Sequence, residues 1–387
     1  EIMSSDWSSD VCSSDLKDFE NAMDFANLVF SVHGPIDFPT LLPKLYKPTD
    51  AQMGCNYAIK RNGKIRAMIG LYPIELNMGG ILLKGGGIGA VAVHPNDRGQ
   101  GHMKRLMQHH LDAMRERGYH FSWLAGQRQR YRYFGYEMSG RVCSFHISKD
   151  NIRHAYQEKS FLKFKKICVA NDTRWNSIKI WHDAFPIHVY RPRDIFWDVL
   201  QSWHHTTYAA MQDGEHVGYM NVDDSTGVVL EMGAQSGAIF TEMIPAWMQN
   251  QHHDFMRFEI PPIPGPLFSE LSRVADMISV RSNGNWQILD WPRVIDAALK
   301  LKRKHIKLMD GEFCLGINGQ ETLSLVVDGP EAFCAGTSKT AAFTCDPLTA
   351  VRLLFGPHPP ALSGIANHAV LNSWCPLPLY MPRQDEV

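Results

Sequence analysis

Apolar residues fall at helical spacing over residues 18–32, where Phe19, Met23, Phe25, Ala26, Val29 and Phe30 share one face. The period then changes. Tyr57 to Leu71 reads as two strands around Asn62-Gly63, a pair suited to a type I′ turn, whose two central residues need positive φ. Another strand-like run, Gly85 to Val93, leads through a short polar loop into a helical stretch from about Gly99 to Arg117. There Met103, Leu106, Met107, His110, Leu111 and Met114 line one face, and Gly118 suits the C-terminal cap. Phe121 to Gly126 is the next strand.

The pattern recurs. Tyr208-Ala209 precedes Asp213-Gly214 as Tyr57-Ala58 precedes Asn62-Gly63, with an offset of 151 residues. Helix-like segments at Thr173–Phe185 and Arg193–Trp203 precede this second hairpin, so residues 151–284 read as a degenerate second copy of residues 17–150. The stretch Pro261–Pro266 reads as a rigid connection. Residues 285–387 differ: a helix opens at Asp290 with Pro292 in its first turn, and a hairpin is centred on Asn318-Gly319. A capped helix then runs from Asp346 to Phe355. The expected fold class is α/β (α+β), in three units. Residues 1–16 repeat Ser-Ser-Asp three times and resemble translated sequencing-adapter DNA. They are set aside as an artefact of that kind, with a native first strand expected to be missing.

Composition excludes several classes. With 44% hydrophobic and 20% charged residues, the chain can build a sizeable core, and its net charge of −1 gives no field toward nucleic acid or anionic lipid. No apolar run approaches the ~18–20 residues of a membrane span, and no leader is read at the start. Apart from Cys12, the cysteines are scattered without a C-x-x-C pair, which points to reduced thiols and a cytoplasmic location. The histidine pairs lack acidic partners at ligand spacing, so no metal is expected.

The chemistry is concentrated in Val91-Ala92-Val93-His94-Pro95 followed by Arg98-Gly99-Gln100-Gly101-His102-Met103. A strand, a glycine loop and a helix N-terminus in that order present bare N–H groups suited to phosphate. These residues resemble the acyl-CoA signature of the GNAT acetyltransferases, with Met103 where that signature has a small residue. The resemblance implies that backbone groups of Ile88–Val93 pair with pantetheine and that Arg98–Met103 hold the diphosphate of acetyl-CoA. Tyr131-Arg-Tyr-Phe-Gly-Tyr136 resembles the GNAT pattern in which a tyrosine protonates the departing thiolate, a role that falls on Tyr131. Tyr133 and Tyr136 are expected to pack.

Taken together, the chain resembles the enhanced-intracellular-survival (Eis) family. That family combines an active GNAT domain, a GNAT-like second domain and a sterol-carrier-protein-like third domain. The resemblance implies homo-oligomers, often hexamers, and a C-terminal carboxylate, here that of Val387, acting as base. It implies acetyl transfer to a primary amine: an aminoglycoside, a polyamine, a small amine or a protein lysine. Arg128, Arg130, Arg132 and Arg141 crowd the tyrosine motif, facing either CoA phosphate and solvent or the pocket. The competing readings are a non-catalytic acyl-CoA or lipid-binding module, and paired GNAT enzymes with other acceptors. Among the latter, N-myristoyltransferases need long-chain acyl-CoA, and peptidoglycan-building aminoacyltransferases have no need of the Arg98–Gly101 loop.

Overall fold

The structure, a computed structural model, describes residues 11–13, 15–31, 34–157, 160–250, 254–357 and 368–387. In chain order the strands begin with β1 (Val11–Ser13), β2 (Asn56–Arg61), β3 (Lys64–Met78), β4 (Ile81–Val93), β5 (Phe121–Leu124) and β6 (Glu137–Met138). Then come β7 (Val142–Ser148), β8 (Lys163–Lys166), β9 (Ile187–Val189), β10 (Thr206–Gln212), β11 (Glu215–Asp223), β12 (Val228–Ala234) and β13 (Phe255–Ile260). The last are β14 (Met277–Arg281), β15 (Asn285–Ile288), β16 (Gly311–Ile317), β17 (Leu323–Asp328), β18 (Glu331–Gly336) and β19 (Phe343–Cys345).

Among the described residues three sheets form, with helices packed against them, in a mixed α/β fold. The first runs β1-β2-β3-β4-β5-β15-β6, with β9 added against the end of β3; the third runs β18-β17-β16-β19. The second, taken from its β8 edge, runs β8-β10-β11-β12-β13-β7-β14 and repeats the first strand for strand. Both have one parallel pair, β4 with β5 and β12 with β13. The hairpin turns match as well: Asn62 and Gly63 have φ of 53° and 73°, Asp213 and Gly214 of 50° and 91°.

The two sheets exchange a strand. β7 lies between β13 and β14 in the second sheet, and β15 lies between β5 and β6 in the first. β7 thus stands on the near side of the cut expected after residue 150, and β15 beyond the cut expected after residue 284. Part of the segment set aside at the start, Val11–Ser13, supplies the edge strand against β2.

The exchange is fastened by tryptophan. Trp286 on β15 sits opposite Trp123 on β5, both fully buried, and both indoles donate to the Asn283 carbonyl, at 2.8 and 3.0 Å. The helix Trp291–His305 follows, capped by the Asp290 carboxylate on the Arg293 N–H. Its apolar face (Val294, Ile295, Ala298, Leu299) joins the first sheet to the third in one continuous core. Among the described residues no helix is long and apolar enough to cross a membrane.

Candidate functional site

β4 is paired with β3 along its length, but with β5 only through Gly85–Gly87 against Phe121–Trp123. Beyond Gly87 the two strands part, and Ile88–Val93 has no register partner on that side. A bulge sits in this stretch: Ala90 has φ of 49°, and the β3–β4 register shifts between Met68 and Gly70. Ile69 is left without a partner on β4, and its carbonyl lies 3.1 Å from His110 Nε2, on the helix His102–Glu116. Burial pushes the His110 imidazole down to about 4, so it is neutral at pH 7.

The strand hands over to that helix through the short turn Pro95–Asp97 and the exposed loop Arg98–Gly101. Gly99 and Gly101 have φ of 80° and 78°, a region that a side chain disfavours. Gly101 is the N-cap residue and no side chain caps the first turn, so the N–H groups at His102 and Met103 point outward uncapped. Asp97 anchors the loop. It is buried and paired with Arg66 and with Arg61, the latter at 2.7 Å. Burial alone would raise its carboxyl; the Arg66 hydrogen bond and the two guanidinium charges prevail and hold it below the usual carboxylate range. An open backbone edge followed by an uncapped glycine loop can take an extended amide chain that ends in phosphates.

Tyr131 lies on the short helix Arg128–Arg132 and packs with Ile88, Leu124 and Tyr136 beside the opened edge, with Val91 and Met103 against the same cluster. It is 6% exposed, and burial raises its phenol above the usual tyrosine range. Tyr136 is a packing residue, its hydroxyl 2.8 Å from Ser122 Oγ. Tyr133 corrects the expectation: it is 74% exposed, with Lys104 Nζ 5.7 Å from its ring. The arginines divide. Arg128 is bound to the buried Glu137, and Arg141 donates to the Pro376 carbonyl at 3.4 Å, whereas Arg130 and Arg132 are exposed.

Apart from the exposed Arg383, the C-terminal segment runs buried from Leu377 to Glu386 and ends at the half-buried Val387 beside the first sheet. There a Cβ on Gly89 would stand 3.0 Å from the Val387 carboxyl carbon, and one on Gly87 2.7 Å from Val387 Cγ2. Glycine at these two positions lets the terminus lie close against the strand, and a Cβ at either would crowd it. Lys44 donates to the Gln384 and Glu386 carbonyls, the second at 2.7 Å. Arg191, 1% exposed, forks onto both Glu231 and Asp385, with Nη2 2.7 Å from each. Burial pushes the Lys44 ammonium down to about 7, against the attraction of Asp385. Asp385 and Glu386 are engaged by Arg191 and Arg383, so neither offers a free charge.

In front of the terminus opens a cavity of about 450 Å³, bounded by Lys44, Tyr72, Glu75, Tyr190, Arg191 and Val387. Lys44, Glu75, Arg191 and Glu231 escaped the sequence reading, because no local pattern marks them. Among the described residues no group of three His, Cys, Asp or Glu side chains could hold a metal ion.

Comparison with known proteins gives this geometry a context. Residues 12–139 match the family model for the acetyltransferase (GNAT) domain. No curated protein matches the chain. Among solved structures, it is similar to an Enterococcus faecalis protein described as a probable N-acyltransferase, at 14% identity and a TM-score of 0.70, over 96% of this chain and 98% of that one. It is also similar to a GCN5-related N-acetyltransferase from Kribbella flavida, at 17% and 0.67, over 96% and 99%. Eis1 from Mycobacterium abscessus gives 14% and 0.66, again over 96% and 99%. At such identities the likeness is one of fold. With the family match over residues 12–139, the chain carries a GNAT acetyltransferase domain, and it shares its overall fold with those structures along nearly its whole length.

Proposed function

We propose that the chain is an acetyl-CoA-dependent N-acetyltransferase acting on a primary amine. The observation that carries this reading is the meeting of three features on one strand. β4 has an open edge at Ile88–Val93, a glycine loop at its exit, and the chain's own terminal carboxyl carbon packed against Gly89.

Acetyl-CoA, when bound, supplies the activated acetyl group. Val91, Ala92 and Val93 offer backbone groups to its amide chain. Arg98, Gly99, Gln100, Gly101, His102 and Met103 offer N–H groups to its phosphates, with one positive charge from Arg98. N–H groups of the Val91–Val93 stretch polarise the reacting carbonyl. The Tyr131 phenol, protonated at pH 7 as any ordinary tyrosine is, gives its proton to the leaving sulfur. The Val387 carboxylate orients the amine and takes up the proton released as the amide forms. An α-carboxylate is a weak base, with a reference pKa of roughly 3.5, so the amine must arrive neutral or lose its first proton elsewhere. The cavity before the terminus has one exposed carboxylate side chain, Glu75, and the Ile74 and Val189 side chains on its walls. This suits an amine with few charges.

The test is release of CoA thiol from acetyl-CoA in the presence of aminoglycosides, polyamines, lysine peptides and arylalkylamines. The expected result is release that depends on the amine, fastest with the singly charged amines. Release at the same rate with and without every amine, or failure to bind acetyl-CoA, would overturn the reading.

A further inference from the structure

The second sheet has its own opening. β12 and β13 pair only through Val228–Val229 against Arg257–Phe258, and then diverge as β4 and β5 do. The first opening continues into a glycine loop, whereas aromatic rings line the second. Trp181 and Phe185 come from one side, Phe240 and Phe268 from the helices Gly237–Asn250 and Pro266–Val274, and the Pro261–Pro266 stretch forms a rim. These line a partly open cavity of about 270 Å³.

Its charges are already spent. Glu231, the carboxylate on its wall, accepts from Arg191 at 3.1 and 2.7 Å and from the Tyr219 hydroxyl at 2.7 Å. Burial lowers the His188 imidazole, which therefore stays neutral at pH 7. His182, also on the wall, lies between the Val189 carbonyl at 3.0 Å and Glu231 at 3.5 Å, so among the described residues a charged guest would find no free counter-charge here and would lose its hydration. Aromatic walls favour a flat aromatic guest through edge-to-face and offset contacts. Since a dry cavity of about 150 Å³ takes benzene, this one has room for two fused rings.

Two segments run from this cavity to the one before Val387. In the first, Ile187 and His188 line the aromatic cavity, while Val189, Tyr190 and Arg191 line the other. In the second, Tyr380 and Pro382 wall the aromatic cavity, while Asp385 and Val387 line the other. A guest among the rings therefore touches the tail within seven residues of its end.

We propose that the β12–β13 opening is a second ligand site, for an uncharged aromatic molecule of two fused rings, and that its occupant steadies the C-terminal tail. The test is calorimetric titration of the full chain with 2-naphthol, together with amide hydrogen exchange over residues 377–387. Saturable binding at one site is expected, with exchange in the tail slowed at least threefold at saturation. Ala184→Trp, at an exposed position on the mouth, and Gly265→Leu, where an added Cβ meets nothing within 4 Å, should each weaken binding at least tenfold. The proposal is overturned by absence of binding, by an affinity in both variants equal to that of the parent chain, or by binding that leaves tail exchange unchanged. None of these readouts uses acetyl-CoA or turnover, so they stand apart from the test of acetyl transfer.

Discussion

Tyr131 and His110 show how burial sets chemistry at single side chains. Tyr131 is protonated at pH 7 even at the ordinary tyrosine value; burial raises its phenol and makes it a weaker acid, so its proton moves only as thiolate charge develops on the leaving sulfur. Tyr131→Phe removes the proton and keeps the ring, so kcat for amine-dependent thiol release should fall about 100-fold, the usual worth of a general acid. The acetyl-CoA KM should stay within about twofold; an unchanged kcat would remove Tyr131 from the reaction. His110 is neutral in the fold, with its pKa near 4, and titrates at about 6.5 when unfolded. Between those values the unfolded chain binds a proton that the folded one refuses. Its contribution to stability is therefore full above pH 6.5 and is lost as pH falls toward 4, up to about 3 kcal/mol. His110→Gln keeps a donor for the Ile69 carbonyl and cannot titrate. Denaturant unfolding at pH 7 and pH 5 should show a smaller loss in this variant than in the parent chain, and equal losses would contradict the assignment.

The strand-loop-helix unit from β4 through Glu116 is where the sequence was most legible. Its signals are local: alternation in the strand, glycines where φ must be positive, and a 3.6-residue apolar stripe on the helix. Gly101→Val places a β-branched residue at φ 78°, at a cost of about 1–3 kcal/mol, and should weaken acetyl-CoA binding at least tenfold by calorimetry. An unchanged affinity would mean that the loop does not hold the phosphates. The hairpins at Asn62-Gly63 and Asp213-Gly214 and the Asp290 cap were legible for the same reason. The bulge at Ala90 was not. Alanine carries no preference for positive φ, and the conformation is imposed by pairing with β3. Tyr133 was misjudged because an aromatic residue in a motif resembles a core residue until the turn carries it outward.

Across the whole molecule, the decisive contacts join residues far apart in sequence. The β7–β15 exchange depends on pairings such as Trp286 with Trp123, and the clasp on the tail joins Lys44 to Gln384 and Arg191 to Asp385. No spacing rule marks such partners, so sequence could name Val387 only through a family resemblance and could not show what holds it. On the proposed function, the Val387 carboxylate beside Gly89 completes the site. Removing Val387 shifts the terminal carboxylate back by one residue, about 3.3–3.6 Å of extended chain. The Lys44 and Arg191 contacts upstream would remain. Steady-state thiol release by the chain lacking Val387 is the most direct measurement of this claim. We predict a fall in kcat of about 100-fold with acetyl-CoA affinity preserved; a kcat equal to that of the full chain would contradict it.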